Sequence, residues 1–421
     1  MENNLIKNIE ELSTSPLRKK ALEIINSGLS AVSTQKVLKE NITLTEDTLT
    51  IKNNVFDLTK FDKLIFIGLG KAASEAALFF DELLGQKISA GAVLDLKEVA
   101  CQYIKSYKAD HPRPSAKNII ASQKVVDLAD GISEKDLVIA VISGGGSAML
   151  CWPAEECEQS VKLYDSFLKT GGNIEELNTI RKHTSQIKGG GLAKLFYPAK
   201  IVGLIFSDIP GDNYDKVASG PTFLDESSAE DAQKILNKYA ITDITLNETL
   251  KEEKYFTNVL NINLVSNKTA LEKMKETAEN LGFDAFIMSS SVYENTDETI
   301  SNFKKSSASK KAIIAGGEIS ISVTSSGGKG GRNQYIAIKY APLIKENEVF
   351  VSVASDGLDN SNVAGAIIDK TTMLKAKEKE LNNEIYLKSY DTYDFFNTTK
   401  DLIFTGPTGA NVADLMLLLI D

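Results

Sequence analysis

Histidine is nearly absent from this chain: His111 and His183 are the only two in 421 residues, beside three cysteines, Cys101, Cys151 and Cys157. So few nitrogen and sulfur ligands, with no Cys-x-x-Cys pair, argue against a zinc site. Three cysteines cannot all pair with one another, so reduced thiols and a cytoplasmic location are expected. No early apolar run reaches the length of a signal sequence or membrane span, so no membrane partner is expected. Positive charge is in deficit, with 47 Lys and Arg against 57 Asp and Glu, a net −10 that argues against nucleic-acid and anionic-membrane partners. Disorder is excluded too, because 43% hydrophobic and 25% charged residues are ordinary globular values. The length suggests about two to three domains, and homo-oligomerisation stays open.

What is present is a recurring junction of strand and glycine. Val138 to Ile142 is a β-branched apolar run without polar alternation, read as a strand buried on both faces of a parallel sheet. Ser143-Gly144-Gly145-Gly146-Ser147 follows directly. Consecutive glycines contribute no packing, so they fit where the chain turns tightly or where an anion must approach main-chain N–H groups. Four further apolar strands end the same way: Leu64–Ile67 into Gly68-Leu69-Gly70-Lys71-Ala72-Ala73, Ile201–Phe206 into Ser207 to Asp212, Val349–Ala354 into Ser355 to Asp359, and Leu402–Phe404 into Thr405 to Gly409. In open α/β sheets, ligands sit outside the carboxyl ends of the strands, where all five loops would fall.

Strands alternating with helix-like stretches from Leu64 to Ile205 predict a doubly wound parallel sheet. Before it, Ser15-Pro16 reads as a helix start that Gly28 ends, followed by an amphipathic segment over Ala31–Leu38. Asn173 and Glu176 resemble a capping box opening a helix that carries Arg181, Lys182 and His183. The polar stretch Glu226–Asn261 reads as the connection between domains, here set at 1–235 and 250–421. Strands near Ile262–Val265, Ala285–Met288, Ala312–Ala315 and Ser320–Thr324 predict a second α/β unit.

Gly68, Gly70 and Ala73 approach a dinucleotide fingerprint with Asp95 as a ribose acid, but Lys71 inside the loop suits phosphoryl binding at least as well. Asp208, Asp212 and Asp356, each just past a strand, are candidate Mg²⁺ ligands, and one of them a candidate base for an attacking hydroxyl. Arg332, between Gly330-Gly331 and Asn333-Gln334, offers a fork for carboxylate or phosphate. Arg181, His183 and Lys188 are further anion contacts, with the solvated face of a helix as the alternative.

Taken together, IGLGKAA (Ile67–Ala73), HPRPSAKN (His111–Asn118), VISGGGSAML (Val141–Leu150 with its strand), LNTIRKHTSQIKGGGLA (Leu177–Ala193), SDIPGDNYDKVASGPT (Ser207–Thr222), GGEISISV (Gly316–Val323), GKGGRNQ (Gly328–Gln334), SDGLDN (Ser355–Asn360) and FTGPTGANVADL (Phe404–Leu415) resemble the type 2 glycerate kinases, whose C-terminal half is the MOFRL domain. The resemblance covers nearly the whole chain in order. It implies a Rossmann-like domain and a mixed-sheet domain with the active site in the cleft between them. The implied activity is Mg²⁺-dependent transfer from ATP to the C2 hydroxyl of D-glycerate, giving 2-phosphoglycerate. Lys71 and Arg332 match the family's catalytic cations, with Asp208 and Asp356 beside them as catalytic candidates. From the residues themselves, Gly68, Gly70 and Ser143–Ser147 are the expected nucleotide or phosphate contacts, and Arg181, His183, Lys188 and Asn333 the expected substrate contacts. The chain departs from the family pattern at Ser115 (Asp), Gly191 (Arg), Asn360 (Gly), Ala410 (Thr) and Ala413 (Asn). An NAD(P)-dependent hydroxypyruvate reductase and a non-catalytic nucleotide or sugar-acid binding module remain alternatives.

Overall fold

The computed structural model describes residues 4–167, 174–209, 213–306, 309–321 and 328–421. Two compact units result: Val37–Ser207 with Asn213–Leu264 form one, and the other described residues form the second. The first 36 residues therefore fold with the C-terminal half.

The first unit is built on a six-stranded sheet ordered Lys105–Lys108, Ala90–Asp95, Lys63–Leu69, Asp136–Ser143, Lys200–Phe206, Val259–Val265. In chain order this reads third, second, first, fourth, fifth, sixth, the arrangement of a doubly wound nucleotide-binding fold. The pairings among the first five strands are parallel. Every residue of Asp136–Ser143 is buried, as its uninterrupted apolar run predicts. The strand order reverses between Lys63–Leu69 and Asp136–Ser143, so the Gly68 and Ser143 loops flank the switch point. The strand expected near Ile262–Val265 in the second unit runs over Val259–Val265 and closes this sheet instead. A small antiparallel sheet over Ile42–Thr45, Thr48–Ile51 and Asn54–Asp57 precedes it, a meander whose alternation is visible in TLTEDTLTIKNN.

The second unit holds a mixed sheet ordered Asp284–Val292, Lys311–Gly317, Asp414–Ile420, Glu348–Ala354, Gly365–Ile368, Leu402–Ile403. Its first pair is parallel and the others antiparallel. The last strand of the chain thus enters the middle of the sheet, which places Asp414 beside Gly317 and Ala354. The expected strand Ser320–Thr324 is a single bridge at Ser320, and residues 322–324 lie outside the described residues.

The Pro16–Ala31 helix starts as read, with the Ser15 hydroxyl accepting the Arg18 N–H at 3.2 Å. Gly28 does not end it. A β-carbon there would lie 2.6 Å from Met274 Cγ on the Asn267–Asn280 helix, so this glycine permits close helix contact. Cys151 and Cys157 are joined as a disulfide with Cα atoms 5.2 Å apart, against the expectation of free thiols, and Cys101 is free. No helix among the described residues is long and apolar enough to cross a membrane.

Candidate active site

In the first unit, the two loops at the switch point are bolted to each other. Lys71 N–H donates to Gly144 O at 3.0 Å, and the Ser143 hydroxyl donates to Leu69 O at 2.9 Å while accepting the Ala72 N–H at 3.1 Å. Gly70, at φ +99°, would carry a β-carbon 2.4 Å from Ser143 O, so only glycine allows this approach. Gly68 is set by packing against Val93, 2.5 Å from the same hypothetical carbon. Asp95 completes the arrangement: Oδ2 accepts the Ser74 N–H at 2.9 Å and Oδ1 the Leu96 N–H at 2.6 Å. Burial raises its pKa above the usual carboxylate value, with these N–H groups working against the rise.

The first helical turn after Gly70 is therefore satisfied internally. Gly68, Gly70 and the Ser143 side chain, expected at phosphate, build the junction, and the acid required by the reductase reading is committed to backbone. The Ser143 loop is different. The N–H groups of Gly144, Gly145, Gly146 and Ser147 have no hydrogen-bond partner among the described residues. Gly145 adopts φ +86°, and a β-carbon on it would stand 3.4 Å from Lys71 Cγ and 3.4 Å from His111 Cδ2. The half-buried Lys71 thus flanks a run of open amides. The Ser147 hydroxyl meets that of Ser219 at 2.9 Å, and Ser219 reaches Asn178 at 3.4 Å.

Three expected substrate contacts lie inward. His183 is fully buried with Nδ1 at 2.9 Å from Asn247 O and Nε2 at 3.1 Å from the Ser227 hydroxyl. Lys188 is buried against Glu156, whose other oxygen accepts from Trp152 N–H at 2.9 Å and the Ser185 hydroxyl at 2.8 Å. Burial works against both charges, lowering the pKa of Lys188 and raising that of Glu156. Arg181, also buried, is pushed down to about 10 by desolvation, with Tyr164 and Glu156 opposing; its Nη1 lies 3.4 Å from Asn178 Oδ1. These groups fix the glycine turn that follows, where Gly189 and Gly190 N–H donate to Ser219 and Gly220 carbonyls, each at 2.9 Å. At Gly191 a β-carbon would fall 2.1 Å from Gln186 O, so this backbone admits no side chain where the resembled family carries arginine.

In the second unit, Arg332 opens the Arg332–Tyr340 helix. Its Nε donates to Asp414 Oδ2 at 2.5 Å, and Nη2 donates to Glu318 Oε1 at 2.9 Å and Asp414 Oδ1 at 3.3 Å. Burial opposes the charge, but Asp414 and Glu318 outweigh it and hold the guanidinium protonated. Asp414 is pushed up to about 7 by burial, with Arg332 and Asn333 pulling it down. Asn333 is fully buried: Nδ2 donates to Asp359 at 3.1 Å and Asp414 at 3.0 Å, and Oδ1 accepts from the Ser352 hydroxyl at 2.6 Å. Both donors are used, so Asn333 has no N–H left for a substrate. Asp359, also missed in the sequence, accepts the Asn333 and Gln334 N–H groups at 3.1 and 2.9 Å and so caps the helix.

Asp356 and Asp208 are half-buried. Asp356 Oδ1 accepts the Leu358 N–H at 3.0 Å, and Asp208 Oδ2 lies 3.4 Å from Asn411 Nδ2. Asp212 lies outside the described residues. No cluster of three metal-ligating side chains occurs among the described residues. Asn360 and Ala413 sit at φ +47° and +67°, conformations suited to the glycine and asparagine of the resembled family.

Residues 20–252 match the model of a domain of unknown function, DUF4147, and residues 311–414 match the MOFRL family. A D-glycerate 2-kinase of Thermotoga maritima is 35% identical over 96% of this chain and 98% of its own. A glycerate 2-kinase of Pyrococcus horikoshii is 32% identical over 96% and 97%. The crystal structure of a glycerate kinase from Thermotoga maritima superposes with TM-score 0.80 at 33% identity, covering 96% of this chain and 99% of that one. With both family models matched in order and relatives aligned end to end, the chain belongs to the DUF4147–MOFRL family of type 2 glycerate kinases.

Proposed function

We propose that the protein is a cytoplasmic glycerate 2-kinase that transfers the terminal phosphoryl group of ATP to the C2 hydroxyl of D-glycerate, releasing 2-phosphoglycerate and ADP. The observation that carries this reading in the structure is the run of open N–H groups at Gly144–Ser147 beside Lys71. Oriented amides and a cation form a seat for phosphate, not for nicotinamide. The commitment of Asp95 to Ser74 and Leu96 further disfavours the reductase alternative.

Phosphoryl transfer needs positioning and neutralisation of charge more than covalent help. In this reading the Gly144–Ser147 amides and Lys71 hold phosphate oxygens. Arg332 stabilises charge on the transferring group through Nη1, its plane fixed by Asp414 and Nη2 committed to Glu318 and Asp414. Arg181 keeps its place as a candidate contact for the glycerate carboxylate, whereas His183, Lys188 and Asn333 act by fixing loops. Asp208 and Asp356, with Asp212, are proposed to hold Mg²⁺. Their hard oxygen donors suit an ion that takes one or two carboxylates and completes its shell with phosphate oxygens and water. Bound there, it would neutralise phosphate charge. One of the two described carboxylates accepts the proton of the attacking hydroxyl.

Phosphorus NMR of the protein with ATP, Mg²⁺ and D-glycerate tests the proposal. ADP and 2-phosphoglycerate are expected; a 3-phosphoglycerate product overturns the regiochemistry. Oxidation of NADH by hydroxypyruvate without ADP formation overturns the kinase reading.

A further inference from the structure

The two histidines of this chain have opposite surroundings. His183 is enclosed, whereas His111 is exposed beside the open amides of the Ser143 loop. The position of His111 is determined by Asn118, a fully buried side chain in the first turn of the Ala116–Val126 helix. Its Nδ2 donates to Asp110 O at 2.9 Å, Ala148 O at 3.0 Å and Met149 O at 3.2 Å. Its Oδ1 accepts the N–H groups of Asp110 at 3.0 Å and Ser115 at 3.1 Å. The Ser115 hydroxyl adds a bond to Asp110 Oδ2 at 2.7 Å. One amide thus ties the residue before His111 to the end of the short Gly146–Met149 helix, so the His111 turn and the glycine loop are held as one piece.

The consequence is visible at Gly145, where a β-carbon would be equidistant, 3.4 Å, from Lys71 Cγ and His111 Cδ2. The two side chains approach the loop from separate segments, one an ammonium on the strand-end loop, the other a ring carried on a turn whose backbone is held by a buried clamp. We propose that His111 is a further phosphate-contacting residue of this loop, donating a ring N–H to the phosphate chain of the bound nucleoside triphosphate, with Asn118 as its positioning residue. The inference rests on the reading of Gly144–Ser147 as the phosphate seat and adds to it a contact that the strand-end glycine pattern does not contain.

The test measures ATP affinity by calorimetry, and steady-state kinetics, on the full-length protein as wild type, His111→Ala, His111→Gln and Gly145→Val. Loss of a hydrogen bond to a charged oxygen is expected to weaken ATP binding by about tenfold or more in His111→Ala. The KM for D-glycerate at saturating ATP and the thermal midpoint should stay at wild-type values, because the side chain is exposed. His111→Gln, which keeps an N–H donor, should recover part of the loss. ATP binding that Gly145→Val abolishes but His111→Ala leaves within about twofold of wild type overturns the His111 inference alone. Failure of wild type to bind ATP overturns the phosphate seat and this inference with it.

Discussion

Arg332 meets Asp414 with two nitrogens: Nε donates at 2.5 Å and Nη2 at 3.3 Å to a carboxylate that arrives 82 residues later in the chain. A two-point contact fixes the plane of the guanidinium as well as its place, which a single ion pair would not. Asn333 bonds the same carboxylate from the next helical position at 3.0 Å, so the acid is itself held.

A guanidinium placed in advance should help the transition state of phosphoryl transfer more than the ground state. Arg332→Ala is expected to lower kcat on the order of 10²–10³ fold, and Arg332→Lys to recover only part, since lysine keeps the charge and loses the planar fork. An alanine variant that raises KM for glycerate and spares kcat would make Arg332 a substrate clamp.

The Asp414 carboxyl, at about 7 in the fold, lies above the 3.8 of an unperturbed aspartate. A raised acid binds its proton more tightly when folded, so its contribution to stability is full below pH ~4 and is lost as pH rises through ~7. Measured by urea unfolding, the stability of wild type relative to Asp414→Asn should therefore fall across that window. The opposite slope would mean that the Arg332 pairing dominates burial.

Gly145 stands at φ +86° with neighbours 3.2–3.4 Å from any added β-carbon. Gly145→Val should leave the sheet intact and abolish ATP binding, because a β-branched side chain resists this φ and covers the open amides. Unchanged ATP affinity in a folded variant would reduce the loop to a turn.

Glu156 and Lys188 form an ion pair with both side chains almost fully enclosed. Removing one partner, as in Glu156→Ala, should cost about 3–5 kcal/mol, whereas Glu156→Leu combined with Lys188→Met should come close to wild-type stability. If the double variant is stable yet its KM for glycerate rises more than about tenfold, Lys188 touches substrate.

For Asp356→Asn, loss of turnover or of its Mg²⁺ dependence is expected, since charge disappears while size is kept. A magnesium titration and kcat equal to wild type would make Asp356 a turn residue, accepting the Leu358 N–H, and no metal ligand.

The sequence by itself determined the layout of strands and the chemistry at their ends. Asp136–Ser143 had to be an interior parallel strand because no polar residue interrupts it, and glycine after it marked a close approach, since only a residue without a side chain tolerates φ +86° there. Lys71 and Arg332 stood out because their charges sit among glycines. Tertiary structure decided which polar groups remain open. Gly70 and Gly145 look alike in sequence, yet the amides after Gly70 are consumed by Ser143 and Asp95 while those of Gly144–Ser147 are not. Hydrogen-bond partners such as Asp414 for Arg332, Asn118 for the His111 turn and Glu156 for Lys188 are brought together by sheet order and loop packing. Their residue types carry no local period or spacing that could have announced them, because a buried polar contact depends on which distant strand or turn arrives beside it.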